Sequence, residues 1–244
     1  MEFKPLIPDF AYKMVSFQFD DGTESDYNKA YQYLKTKNLQ KPLGMGTSNI
    51  NTNRIGETGY ITWEQAREMR SNGWSFQCHL AAHYDGTQIT SEQLHEQFQL
   101  VDKAFYNQGW FPPKYHVYPF GLWTPTTRDI ALQYREVMVL DGVPGTNTTA
   151  FLNKKIKFKG SYGDIASEET FNIRKAEIDS IVAGEYNWIT FLGHSIEDTP
   201  SGSYGWKTSY WQAFIDYVLA QGITIVSVEH GHRIQKFVES RWQN

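Results

Sequence analysis

Short apolar runs alternate with longer amphipathic ones along most of this chain. Residues 14–19 (MVSFQF) are rich in Val and Phe and read as a strand, with a helix to follow over about 24–37. A short strand is predicted at 41–46, then a loop, SNINTNRIGETG, dense in turn residues. ITWEQAREMRSNG carries a helix signal: Thr62 caps it, Glu64 and Gln65 occupy its first turn, and Gly73 follows its end. The same patterns give strands at 74–78, 115–119, 136–140, 187–192 and 223–228. Helices are expected at about 91–108 (opening from Thr90 or Ser91), 126–134, 167–184, 207–221 and 232–240. The polar segment 141–166 is assigned neither.

Repeated β–α units imply an α/β fold with a parallel sheet covered by helices. About seven such units fit the 244 residues as a barrel or as a doubly wound sheet. No internal repeat or linker-like stretch divides the chain, so residues 1–244 are expected to form a single domain. Composition adds exclusions. A net charge of −4 offers no basic footprint for nucleic acid, and no segment approaches the roughly 18 apolar residues of a membrane span. The start, MEFKPLIPDFAYKM, lacks the charge, apolar run and cleavage site of a secretory signal. The protein is then either not exported by that route, a mature form or an excised domain. The one cysteine, Cys78, permits no internal disulfide. The 8 Trp, 15 Tyr and 15 Phe suit sugar-binding surfaces as well as a core, which leaves both readings open.

Parallel α/β folds carry their chemistry beyond the C-terminal ends of strands, and the candidate residues lie there. The first strand runs into Asp20-Asp21-Gly22: the second carboxylate can bind a metal while the first takes a proton, although DDG is also an ordinary turn. Past the third strand, His79 and His83 have H-x3-H spacing, which predicts two imidazoles on one face of a helical turn. Two imidazoles and a carboxylate leave open positions on a divalent metal such as zinc, with cobalt and nickel as alternatives. Tyr118-Pro119-Phe120-Gly121 forms a turn able to present an N–H to a reacting oxygen. His194, after the strand at 187–192, can donate a proton to a leaving group; a hydrogen-bonded core histidine is the plainer alternative. Neither a phosphate-binding glycine loop nor a G-x-S-x-G elbow occurs.

In this order the segments resemble the polysaccharide deacetylase family, the NodB-homology domain of carbohydrate esterase family four. FQFDDG is similar to its T-F-D-D-G motif, HLAAH to H-[ST]-x-x-H, HVYPFG to the Y-P-[YF]-G form of the third motif and FLGH to L-x-H. The likeness spans about residues 14–230. It implies a distorted (β/α) barrel of about seven parallel strands acting on an acetylated glycan, extracellular or on a cell surface. Asp20 would be the general base, Asp21, His79 and His83 the metal ligands and His194 the general acid. Leu192 would line the acetyl pocket, with Tyr118 in the third motif and the Phe120 N–H in the oxyanion hole.

The chain departs from the family in three places. The third-motif Arg that orients the base in many members is missing, and His116 and Val117 stand in that region. Leu80 replaces the second motif's hydroxyl residue. No Trp follows Asp141, the nearest candidate for the fourth-motif aspartate. His116 or a residue from 141–166 is therefore expected to orient Asp20. A non-catalytic sugar-binding module on this scaffold and a related C–N hydrolase of small cyclic amides are the competing readings. Neither the glycan, the N- or O-linkage of its acetyl group nor the oligomeric state follows from the sequence.

Overall fold

A computed structural model describes residues 13–37, 39, 44–138, 158–200 and 205–240. In chain order its strands are β1 (Met14–Asp21), β2 (Thr47–Ile50), β3 (Ser75–Cys78), β4 (Tyr115–His116), β5 (Val137–Met138), β6 (Phe158–Tyr162), β7 (Trp188–Gly193), β8 (Ile196–Glu197), β9 (Trp206–Lys207) and β10 (Thr224–Ile225). A π-type segment, Asp26–Tyr31, runs into α1 (Gln32–Lys35). The remaining α-helices are α2 (Trp63–Ser71), α3 (Ser91–Asn107), α4 (Pro125–Tyr134), α5 (Glu168–Val182), α6 (Thr208–Ala220) and α7 (Val228–Ser240).

Eight strands form one sheet in the order β5-β4-β3-β2-β1-β7-β6, with β10 also on β1. Every ladder in it is parallel. β1 pairs with β7 along residues 14–19; its other edge takes β10 at 14–15 and β2 at 18–21. The sheet curls into part of a barrel with helices around it, the fold class expected. Thr62, Thr90, Thr124 and Ser167 each close a capping box that fixes where a helix starts.

Alternation along β1 decides what faces the site. Phe17 and Phe19 point to the helices and pack against Trp211, at 5.0 and 5.4 Å between ring centroids. Each such buried ring contributes about 1.5–3 kcal/mol. Trp74, Trp188, Trp206 and Trp211 are fully buried too, so much of the aromatic richness serves the core. The opposite face of β1 carries Ser16, Gln18 and Asp20 into the barrel interior. Trp188 Nε1 donates to Ser16 Oγ there, and Asn49 reaches both Gln18 and Asp20.

Three sequence expectations are corrected. β2 begins at Thr47 and runs into the predicted loop, whose first three residues, Ser48–Ile50, are strand; of the predicted strand at 41–46, Gly44–Gly46 are not strand and 41–43 lie outside the described residues. Its polar side chains are buried against polar partners: Thr47 on Ser75, Ser48 on Asp26, Asn49 on Asp20. β6 lies inside the segment read as structureless; its backbone pairs with β7 over five residues although FKGSY has no apolar pattern. α7 starts at Val228 and shortens the last predicted strand to Thr224–Ile225, with the His230 N–H donating to Ser227 Oγ at the turn.

Candidate active site

Asp20 and Asp21 leave β1 side by side. A regular strand would send them to opposite faces, but Asp21 has φ 73°, which breaks the alternation. Both then face His79: Asp20 Oδ2 is 3.9 Å and Asp21 Oδ1 3.8 Å from His79 Nε2. His83 Nε2 lies 3.3 Å from the same Asp21 oxygen. The ligand atoms of Asp21, His79 and His83 all fall within 4.8 Å of one another.

The two histidines do not share a helical turn, contrary to expectation. Residues 79–83 are a loop, and Leu80, buried between them, has φ 65°. His79 Nδ1 is 2.8 Å from the Val117 carbonyl, which makes it the donor and turns Nε2, the acceptor nitrogen, toward the carboxylates. The His79 backbone is tied down from just past β2: Asn51 donates its side-chain amide to the His79 carbonyl. Burial, then the neighbouring His79, lowers the His83 pKa and favours the neutral, ligating imidazole.

Two residues that sequence reasoning missed complete the centre. Asn49 Nδ2 donates to Asp20 Oδ1 at 2.7 Å. Asp164 binds His194 twice, accepting from its backbone N–H at 3.1 Å and from Nδ1 at 3.0 Å. Burial opposes charge on His194, yet the Asp164 hydrogen bond and the charges of Asp20, Asp164 and Asp21 push its pKa up to about 9. Burial raises Asp20 to about 7 against the lowering effects of His194 and Asn49. A divalent cation on the three neighbours would pull it down again.

His116 does not orient Asp20. It pairs in register with Cys78 on the face turned to the helices, packs edge-on to Phe98 and holds the Cys78 carbonyl through Nδ1. Its burial drives its pKa well below the ordinary histidine value. Asp141 lies outside the described residues. Tyr118 is buried and donates its hydroxyl to the Thr127 carbonyl at 2.6 Å, anchoring the third-motif turn to α4. Phe120 in that turn is exposed, with its ring edge-on to His83 at 4.4 Å. Leu192 is buried on β7 in register with Gln18. Gly193, next along, abuts Trp206: an added Cβ would stand 2.2 Å from the indole nitrogen, so no larger residue fits.

Among the described residues, the non-glycine positions with positive φ are Asp21, Leu80 and Phe120. All three border the cluster, and each such residue costs on the order of 1–3 kcal/mol, so local strain is concentrated at this site.

The cluster fits a small divalent ion. Ligand atoms on a tetrahedral zinc, at ~2.0–2.1 Å from it, stand roughly 3.3–3.4 Å apart. The 3.3 and 3.8 Å separations approach that spacing before any ion draws the ligands together. The donor set of one carboxylate and two imidazoles, with the His79 tautomer fixed from behind, is one that zinc accepts.

The sequence profile described as polysaccharide deacetylase matches residues 8–138. The Bacillus subtilis protein YxkH, described as a candidate polysaccharide deacetylase, is 28% identical over 134 residues, 54% of this chain and 46% of that one. The chain thus spans about half the length of that curated relative. The Xyl-CE4 domain of a multidomain xylanase from the hindgut metagenome of Trinervitermes trinervoides superposes with a TM-score of 0.59 at 15% identity, over 92% of this chain and 91% of that one. A CE4 family pseudoenzyme from Bacillus anthracis superposes at 0.58 with 13% identity, over 90% and 65%. At these identities the structural likenesses speak for the fold alone.

Proposed function

The chain belongs to the polysaccharide deacetylase family, and from that premise we propose that it is a metal-dependent hydrolase removing acetyl groups from an N- or O-acetylated polysaccharide. The observation that carries the reading is the meeting of three groups at the strand ends: the Asp21–His79–His83 triangle, the adjacent carboxylate of Asp20 and the Asp164-bound imidazole of His194. Asp21, His79 and His83 would hold the ion, with zinc favoured by the donor set. When bound, such an ion polarises an acyl oxygen and acidifies water.

The chain's own groups supply the proton traffic. Asp20 takes the proton from the attacking water on Oδ2, because Asn49 already occupies Oδ1. His194, kept protonated by Asp164 up to about pH 9, gives its Nε2 proton to the departing amine or alcohol. The Phe120 N–H, in its left-handed turn, donates to the developing oxyanion, and Leu192 lines the acetyl methyl's pocket. A non-catalytic sugar-binding role on the same scaffold makes no use of a buried Asp20 beside a protonated His194. The test is acetate release by zinc-loaded protein from chitooligosaccharides, peptidoglycan, xylan and capsular glycans. Release from at least one is expected; none from all four overturns the reading.

A further inference from the structure

We infer that Asn49 is a positioning residue that fixes Asp20 by holding one carboxylate oxygen and leaving the other to accept the proton; this rests on the deacetylase reading above. β1 and β2 run in register with Asp20 opposite Asn49, and β2 and β3 with Asn49 opposite Gln77, so the three side chains share the barrel-interior face. The Asn49 amide nitrogen meets two acceptors, Asp20 Oδ1 at 2.7 Å and Gln18 Oε1 at 3.3 Å. That sets the amide's orientation: turned over, it would press its oxygen against a carboxylate. The other carboxylate oxygen, Oδ2, is the one 3.9 Å from His79 Nε2, on the side of the ligand cluster.

The rest of the asparagine's environment argues against a purely structural role. Asn49 is fully buried, and its Oδ1 has no hydrogen-bond partner among the described residues; the same holds for both polar atoms of Gln77 beside it. A buried amide with an orphaned acceptor is costly, and an apolar side chain in a barrel interior would avoid that cost. The group gained in return is the Nδ2 donor on Asp20. With no third-motif arginine in the chain and His116 facing the helices, Asn49 supplies a short hydrogen bond to the base from the neighbouring strand. A neutral amide fixes the carboxylate without adding a further cation beside it.

Asn49→Leu keeps the branched shape, adds some bulk and removes the donor. On a glycan from which the wild-type protein frees acetate, kcat is expected to fall about 10- to 100-fold, the scale of a misplaced reacting group. KM and zinc affinity should stay within about twofold, because neither ligand nor glycan contacts change. If Asn49→Leu does not fold, Asn49→Ser makes the same test: its shorter side chain loses the donor's reach without adding apolar bulk. Acetate release at the wild-type rate from a folded variant overturns the positioning role. So does a fall in kcat matched by an equal loss of zinc affinity, which would mean that Asn49 supports the ligands instead. A wild-type protein that frees no acetate at all overturns the deacetylase reading, and this inference with it.

Discussion

Asp164 holds His194 at two atoms at once, the backbone N–H at 3.1 Å and the ring Nδ1 at 3.0 Å, so one carboxylate fixes both the position of the imidazole and its tautomer. This grip reaches across the paired ends of β6 and β7 and leaves Nε2 as the proton-bearing atom on the site side. Replacing Asp164 by Asn keeps the shape and removes the charge. The His194 pKa is raised, so its acid form is present below about pH 9 and is lost as pH rises through that value. In Asp164→Asn the alkaline limb of the pH–rate profile moves to lower pH, and the rate at pH 8 falls by about 10²-fold or more, the usual scale of general acid catalysis. A profile that superposes on the wild type's would exclude His194 as the acid.

Removal of a ligand tests the metal. His83→Ala is expected to weaken zinc binding by more than the roughly 10–100-fold that changes behind the ligands typically cost. Chelation of the wild-type protein should abolish acetate release, and added zinc should restore it. Metal analysis and isothermal titration read the first effect, and an acetate assay the second.

Much of this centre was legible in the sequence, and the part that was not has a physical reason. Asp20, Asp21, His79, His83 and His194 all follow apolar strands, so pattern and position agreed. Asn49 was hidden because β2 has no apolar alternation: its polar residues are buried against Ser75, Asp26 and Asp20, and such pairings leave no periodic signal. Asp164 was hidden because β6 is held by backbone pairing to β7 within a polar stretch, and the contact with His194 spans thirty residues of chain. The H-x3-H spacing suggested a helical turn, but the left-handed backbone at Leu80 brings the imidazoles together in a loop.

Backbone strain beside the ligands gives a stability prediction. Phe120 has φ 61° and is 63% exposed, so Phe120→Gly relieves strain at small cost in burial. The folded state should gain about 1 kcal/mol, seen as a rise of roughly 2–4 °C in Tm for a chain of this size. Acetate release should fall in the same variant, because the ring against His83 is lost and the turn presenting the N–H loosens.

Asp26 is fully buried, accepts hydrogen bonds from Ser48 and Thr23 and has no cation paired with it among the described residues. Burial pushes its carboxyl up to about 8 against those two hydrogen bonds. Its folded-state pKa lies above the unfolded value, so the neutral acid's contribution is fully present below about pH 4 and is lost as pH rises through about 8. Asp26→Asn keeps a hydrogen-bond acceptor and cannot ionise. Its stability relative to wild type should therefore improve steadily from pH 4 to pH 8, by ~1 kcal/mol or more at the upper end, in urea denaturation run at several pH values.

In the proposed function Asp20 is the base beside a metal held by Asp21, His79 and His83. The most direct test of that role is the acetate-release rate of Asp20→Asn against wild type, with both proteins brought to the same measured zinc content. The variant is expected to bind zinc as the wild type does and to lose about 10²–10⁴-fold in rate. A variant that releases acetate at the wild-type rate with equal zinc would contradict that role.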